Sequence, residues 1–194
     1  MPRIEPFVDP PERLAAELLE LSDRDGAPDE RMVRVLGRSI AGAWWLRAWH
    51  VALFEGLLPH RLKELVRIRM SVAIECGYCS SVLSKRAVRD GMTQDIVLEL
   101  VDFEQSTELD EQEKAALRYA DIYMSADENL LDSDDLFAEL RRHFSDDEII
   151  ELSIMCSFLH GGGKFAKALQ VVTWAEACEV NPALAGARAG ADVA

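Results

Sequence analysis

The chain is expected to be all-α, and three observations lead there. Its 194 residues are 49% hydrophobic and 29% charged, with only 11 Gly and 7 Pro, and the long Ala-, Leu-, Glu- and Arg-rich runs favour helix. Apolar residues recur at three- and four-residue spacing through most of the chain. Capping signals, a Ser, Thr or Asp with an acidic residue placed after it, stand before several of those runs. One domain fits this length, which suffices to bury a core without disulfides or metal.

In chain order, residues 1–11 are proline-rich and read as an extended arm, and Glu12 to Leu21 has the Leu14, Leu18, Leu21 spacing of a short amphipathic helix. Asp23 to Pro28 reads as a turn. An apolar stripe of Met32, Val35, Leu36, Ile40, Ala43, Trp44 and Ala48 then forms one or two helices, with Gly37 or Gly42 allowing close packing or a break. Trp44, Trp45 and Trp49 make an aromatic cluster suited to the core or to a subunit interface. Leu62, Leu65, Ile68 and Val72 mark one further helix, and Val82, Leu83 and Ala87 a second that begins near Tyr78 and ends at Gly91. Thr93 caps a helix to about Phe103, and Asp110 with Glu113, Ser133, and Ser145 with Glu148 start three more. Gly161 to Gly163 interrupts the last of these, and Lys164 to Cys178 resumes it. From Pro182 onward there is too little apolar bulk to order the chain. The expected organisation is an arm and short helix over 1–27, a helical domain over 28–178 and a tail over 179–194.

A formal net charge of −14 repels nucleic acid and anionic lipid, which are bound by neutralising phosphate with Lys and Arg. MPRIEPFVDPPERL has no basic region leading into an apolar core, and no run approaches membrane-spanning length, so a cytoplasmic protein without membrane partners is expected. Four Cys are too few for a secreted disulfide scaffold, and in a reducing compartment a C-x-x-C pair is more often catalytic or metal-binding than structural.

That pair is Cys76 and Cys79, with the carboxylate of Glu64 upstream. In one straight helix Glu64 and Cys76 would be about 18 Å apart. A reversal near Glu75 to Gly77 brings Glu64 level with residues near Leu83, which makes position 83 the natural relay between carboxylate and thiol. At the start of the second helix, unpaired N–H groups and the dipole favour a thiolate, Cys79 more than Cys76 if it is not the more deeply buried. A thiolate attacks peroxides and disulfides. Burial of Glu64 beside the thiols would raise its pKa and suit it to act as a general base. Two other readings of the pair are a zinc site, which needs two further ligands that Cys156 and Cys178 are poorly spaced to supply, and a pair of buried inert thiols. His160, just before the glycine run, reads as a helix-end residue satisfied by backbone or as a substitute relay.

Glu64, eleven residues and then Cys76-Gly77-Tyr78-Cys79 resembles the alkylhydroperoxidase D (AhpD-like) and carboxymuconolactone decarboxylase family, and the likeness runs on through LDEQEKAALRYADIYM and FSDDEIIELSIMCSFLHGGGKFAKAL. The resemblance implies an AhpD-like helical bundle that forms a homo-oligomer, commonly a trimer or hexamer. It implies a thiol-dependent peroxidase or disulfide oxidoreductase: Cys79 is the more reactive thiol, Cys76 its disulfide partner, and Glu64 feeds a proton relay. Hydroperoxide or disulfide is the implied substrate, an external dithiol protein or small thiol the reductant, and there is no resident cofactor or metal. The family motif continues with three residues and a histidine, and here Leu83 stands in the histidine's place. The alternatives are a non-redox carboxymuconolactone decarboxylase-like lyase, against which the paired thiols argue, and a catalytically impaired helical oligomer with a vestigial site.

Overall fold

The computed structural model describes residues 2–76, 79, 83–125 and 127–171. Among them there is helix and no strand, as expected. In chain order the helices are α1 (Arg13–Asp25), α2 (Glu30–Leu36), α3 (Ile40–Phe54), α4 (His60–Ala73), α5 (Lys85–Arg89), α6 (Gln94–Glu99), α7 (Glu111–Met124), α8 (Asp134–His143) and α9 (Asp146–Leu169). Short 3-10 turns lie at Leu100–Gln105 and Glu128–Leu130.

The caps act where the sequence places them. Thr93 Oγ1 accepts from Ile96 N–H and Ser133 Oγ from Leu136 N–H. Asp110 with Glu113 and Ser145 with Glu148 form complete capping boxes, each supplying two of the partners that a helix start lacks. The stripe from Pro28 to Gly56 is two helices, broken at Gly37 and restarted by Ser39, whose hydroxyl accepts from Gly42 N–H. A β-carbon on Gly42 would lie 2.2 Å from Leu36 O, so the glycine is what allows that tight restart.

Three expectations about boundaries need correction. The glycine run does not interrupt the last long helix: α9 passes unbroken through Gly161, Gly162 and Gly163 and ends at Gln170, in the left-handed region. The physical reason is close approach, since a β-carbon on Gly162 would meet the Trp45 ring at 2.7 Å and one on Gly163 would meet Ile74 Cδ1 at 1.7 Å. Loss of helix propensity at the two inner glycines is offset by packing that only glycine permits. The helix expected from Tyr78 to Gly91 is not continuous, because Leu83 and Ser84 are non-helical and Ser84 starts α5 afresh by accepting from Ala87 N–H. α1 runs on to Asp25 through the front of the expected turn. The helix continuing to Cys178 and the tail over 179–194 lie outside the described residues, as do Gly77, Tyr78 and Val82.

α4 is the axis of the fold. It packs against α7 and α9, and Leu65, Ile68, Leu117, Leu152 and Met155, all nearly or fully buried, meet in the larger core there. A second apolar cluster joins Phe7, Ala15, Leu18, Met32 and Leu46 to Cys76 and Ala166. The N-terminal arm belongs to this second cluster, because Phe7 N–H donates to Arg34 O at 3.0 Å and Arg3 N–H to Leu169 O at 2.8 Å. Cys76 belongs to this second cluster, with Cys79 packed against it, whereas Leu83 packs against the first.

Candidate functional site

α4 ends in a compact turn that sets the thiols. Ile74 N–H donates to Met70 O, Glu75 takes a left-handed conformation (φ 51°), and Cys76 N–H returns to Ser71 O at 2.9 Å. The chain thus reverses where the sequence places the turn. Cys76 is 1% exposed, while Cys79 is partly open. The two sulfurs are 2.8 Å apart, and Cys79 N–H donates to Cys76 Sγ at 3.3 Å.

That N–H favours negative charge on Cys76 over Cys79. The Cys79 thiol is pushed well up, first by its hydrogen bond with Cys76, then by burial and by charge on Cys76, with Arg67 and Ser71 pulling the other way. The expectation that the helix dipole makes Cys79 the easier thiol to ionise is corrected accordingly: a second sulfur in contact outweighs a helix start.

Glu64 is fully buried on α4, as a role beside the thiols requires. Its pKa is nevertheless lowered and not raised. Burial alone drives it up, but the Arg67 charge, the Arg67 hydrogen bonds and Ser84 N–H together bring it below the ordinary carboxylate range. Arg67 Nε donates to Oε2 at 2.8 Å and Nη2 to Oε1 at 3.1 Å, a two-point fork, and Ser84 N–H donates to Oε1 at 2.8 Å. A third Arg67 nitrogen, Nη1, donates to Cys79 O. The residue level with Glu64 is thus Ser84, one past Leu83, and the contact is a backbone N–H at the start of α5. Leu83 itself is partly buried against the larger core.

Ser84 extends the buried polar chain. Its hydroxyl lies 2.8 Å from His60 Nε2, and His60 Nδ1 lies 3.0 Å from Leu53 O. A carbonyl only accepts, so Nδ1 carries the ring hydrogen and the neutral ring takes the Ser84 hydroxyl proton at Nε2. Burial lowers the His60 pKa and keeps it neutral. His60 stacks on Phe54 at 4.8 Å, Phe54 stacks on His50 at 4.7 Å, and His50 Nε2 reaches Asp25 at 2.8 Å. Arg67, Ser84, His60 and His50 did not stand out in the sequence. The i, i+3 spacing of Glu64 and Arg67 is the one available signal, and it is shared by countless surface pairs.

His160 lies mid-helix on α9, its ring 6.2 Å from Tyr123, edge to face. It is not among the residues lining the pocket onto which Cys79 opens. That pocket is narrow and is walled by Met32, Trp45, Leu46, Trp49, Phe158 and Leu159, with Gly162 and Gly163 on α9. Among the described residues, Arg67 is its one charged lining residue. Trp45 is held edge-on by Phe158 at 5.8 Å and Phe165 at 4.6 Å. Of the expected tryptophan cluster, Trp45 and Trp49 shape the pocket while Trp44 is 61% exposed. Among the described residues no group of three or more metal-ligand side chains gathers, and no helix is long and apolar enough to cross a membrane.

Residues 41–121, which include α4, both thiols and most of α7, match the carboxymuconolactone decarboxylase family. Two uncharacterized proteins from two strains of Mycobacterium tuberculosis are 36% identical over 111 residues, 53% of this chain, and the match spans only 38% of their own length. A protein of unknown function from Agrobacterium tumefaciens, suggested to be the antioxidant defence protein AhpD, superposes with a TM-score of 0.60 at 24% identity, covering 69% of this chain and 90% of that one. The apo debrominase Bmp8 superposes at 0.68 and 20% identity, covering 92% and 97%. The two superpositions share the fold. At 24% and 20% identity they show the fold alone, and residues 41–121 are the part of the chain that matches the carboxymuconolactone decarboxylase family.

Proposed function

We propose that the protein is a thiol peroxidase or disulfide oxidoreductase that reduces small, apolar hydroperoxides at Cys79 and closes a Cys76–Cys79 disulfide. The observation that carries this reading is the pairing of a partly open Cys79 on an apolar pocket with a buried Cys76 whose sulfur is 2.8 Å away. The Cys79 proton passes across the 2.8 Å contact to Cys76, and the Cys79 thiolate so formed attacks the terminal peroxide oxygen as the O–O bond breaks. The departing alkoxide takes that proton from Cys76, leaving an alcohol, a sulfenic acid on Cys79 and a thiolate on Cys76. The Cys76 thiolate then attacks that sulfenic sulfur and displaces hydroxide, which solvent protonates to water. An external dithiol restores both thiols by exchange, and no resident cofactor takes part. A cytoplasmic homo-oligomer, a trimer or hexamer, belongs to the same reading. The exposed apolar side chains Ile40, Trp44 and Val51 of α3 and Ile150 and Ile154 of α9 support it as contact surface.

The test is thiol counting on native protein before and after one equivalent of cumene hydroperoxide. Two thiols should disappear together, return with a dithiol, and map to Cys76 and Cys79 by mass spectrometry. Cys79→Ser should abolish the reaction, whereas Cys76→Ser should arrest it at the sulfenic acid. Thiols that stay free in the presence of excess peroxide would sink the proposal and favour a vestigial site.

A further inference from the structure

We propose that Glu64 does not accept a proton from the thiols but acts on them through Arg67, holding the guanidinium against the Cys79 carbonyl and neutralising it. This deepens the redox reading given above and rests on it for its relevance to turnover. The geometry assigns the roles. All of the polar capacity seen on Glu64 points away from sulfur: both oxygens are taken by the Arg67 fork, and Oε1 also by Ser84 N–H. The group that reaches the thiol loop is Arg67, which bonds Cys79 O and lines the pocket beside Cys79. Arg67 is 2% exposed and Glu64 fully buried, so solvent screens their charges little.

Among the described residues, the other groups about the loop do not offer Glu64 a proton path. His60 is neutral and meets Ser84 by its hydroxyl, while Glu64 meets Ser84 by its backbone N–H, which cannot pass a proton on. Glu75 and Lys167, at the rim, pair with each other at 3.2 Å. Arg67 favours charge on the thiols, and Glu64 offsets that favour. The pair sets a fixed field at the sulfurs. In such a site Arg67 is the positioning residue, and Glu64 determines how much of its charge the thiols feel.

The two roles for Glu64 predict opposite signs in one measurement. The rate of iodoacetamide alkylation of the fast thiol is followed from pH 5 to 10 for the reduced parent, Glu64→Gln and Arg67→Gln. Glu64→Gln keeps an oxygen for the fork and removes the neutralising charge, so its profile should move to lower pH. Read at pH 7, a thiol that ionises about one pH unit lower reacts about threefold to fourfold faster, since a lower pKa also weakens the thiolate somewhat. Arg67→Gln should move the profile to higher pH. If Glu64 is instead the proton acceptor, Glu64→Gln slows alkylation and Arg67→Gln, which frees the carboxylate, speeds it. Either result overturns the inference, as does an unmoved profile. Should a variant not fold, ¹³C NMR of the Glu64 carboxyl in the parent decides: the group should stay ionised from about pH 5 to 9, and protonation inside that range contradicts the proposal. Neither readout uses peroxide, so absence of peroxide turnover would count against the proposed function and leave this inference standing.

Discussion

Three consecutive glycines in one helix give an internal control on how closely α9 approaches the thiol loop. Replacing any of Gly161, Gly162 or Gly163 with Ala removes the same backbone entropy penalty, about 1 kcal/mol in a helix interior. What differs is the space that each β-carbon enters. At Gly161 nothing lies within 4 Å, at Gly162 the rigid Trp45 ring lies at 2.7 and 2.8 Å, and at Gly163 Ile74 Cδ1 lies at 1.7 Å. The Trp45 ring cannot bend away, and Phe158 and Phe165 hold it on two sides. Overpacking of this kind costs about 1–3 kcal/mol. Gly161→Ala should therefore stabilise by about 1 kcal/mol, and Gly162→Ala should range from neutral to about 2 kcal/mol destabilising. Gly163→Ala should fall in the same range, because Ile74 can turn its terminal methyl but stands in the loop that carries Cys76. For a chain of this size 1 kcal/mol moves the melting temperature by about 2–4 °C. Thermal melts of the three variants should place Gly161→Ala above the parent and the other two level with it or below. Equal melting temperatures for all three, or a Gly162→Ala variant as stable as Gly161→Ala, would refute the close approach. Gly162→Ala should also slow alkylation of Cys79, since the displaced Trp45 ring is a wall of its pocket.

Two further outcomes follow from buried charge. Lys63 is 1% exposed and bonds both the Glu151 carboxylate and Glu55 O, while Glu151 also accepts from Leu57 N–H at 2.6 Å and Leu58 N–H at 3.2 Å. Glu151→Ala strands that ammonium and should cost about 3 kcal/mol or more by urea unfolding, and a loss below about 1 kcal/mol would show that the pair is solvated. Stability should also fall with acid in two stages. His50 and His60 are held below their ordinary value of 6.5, chiefly by burial, and Glu64 is held below its ordinary value of 4.5, burial being outweighed by Arg67 and Ser84 N–H. In each case the unfolded chain binds protons first as pH falls, so the contribution is complete above the ordinary value and lost below it. Urea titrations should show a decline beginning near pH 6.5, which His60→Gln makes shallower, and a second beginning near pH 4.5. A flat profile from about pH 7 to 5 would contradict neutral, buried histidines.

Local rules carried much of this molecule. The capping residues Thr93, Asp110, Ser133 and Ser145, the apolar spacing along α4, the reversal near Glu75 and the C-x-x-C pair could all be read from neighbours within a turn of helix, because they depend on bonds that span three or four residues. The sequence alone also named Glu64 as a carboxylate brought back beside the thiol hairpin. Two local rules misled. Three glycines in a row look like a break when only propensity is counted, and they are a packing surface once Trp45 and Ile74 arrive from α3 and the thiol loop. Periodicity through Val82, Leu83 and Ala87 looks like one helix, and the restart at Ser84 depends on a carboxylate twenty residues earlier in the chain.

What only the tertiary structure decided is the charge state and reach of the site. Arg67 follows Glu64 at a spacing that on a surface helix is worth little, and its importance comes from the burial of both side chains, which removes water from the pair. The same burial that was expected to raise the Glu64 pKa also strengthens its ion pair, and the second effect wins because Ser84 N–H adds to it. Likewise the apolar pocket is assembled from α3, α4 and α9 and the thiol loop, so no window of sequence contains it. Short-range hydrogen bonds and periodicity specify helices one at a time, whereas solvation, and with it the chemistry of Cys79 and Glu64, is a property of everything packed around them.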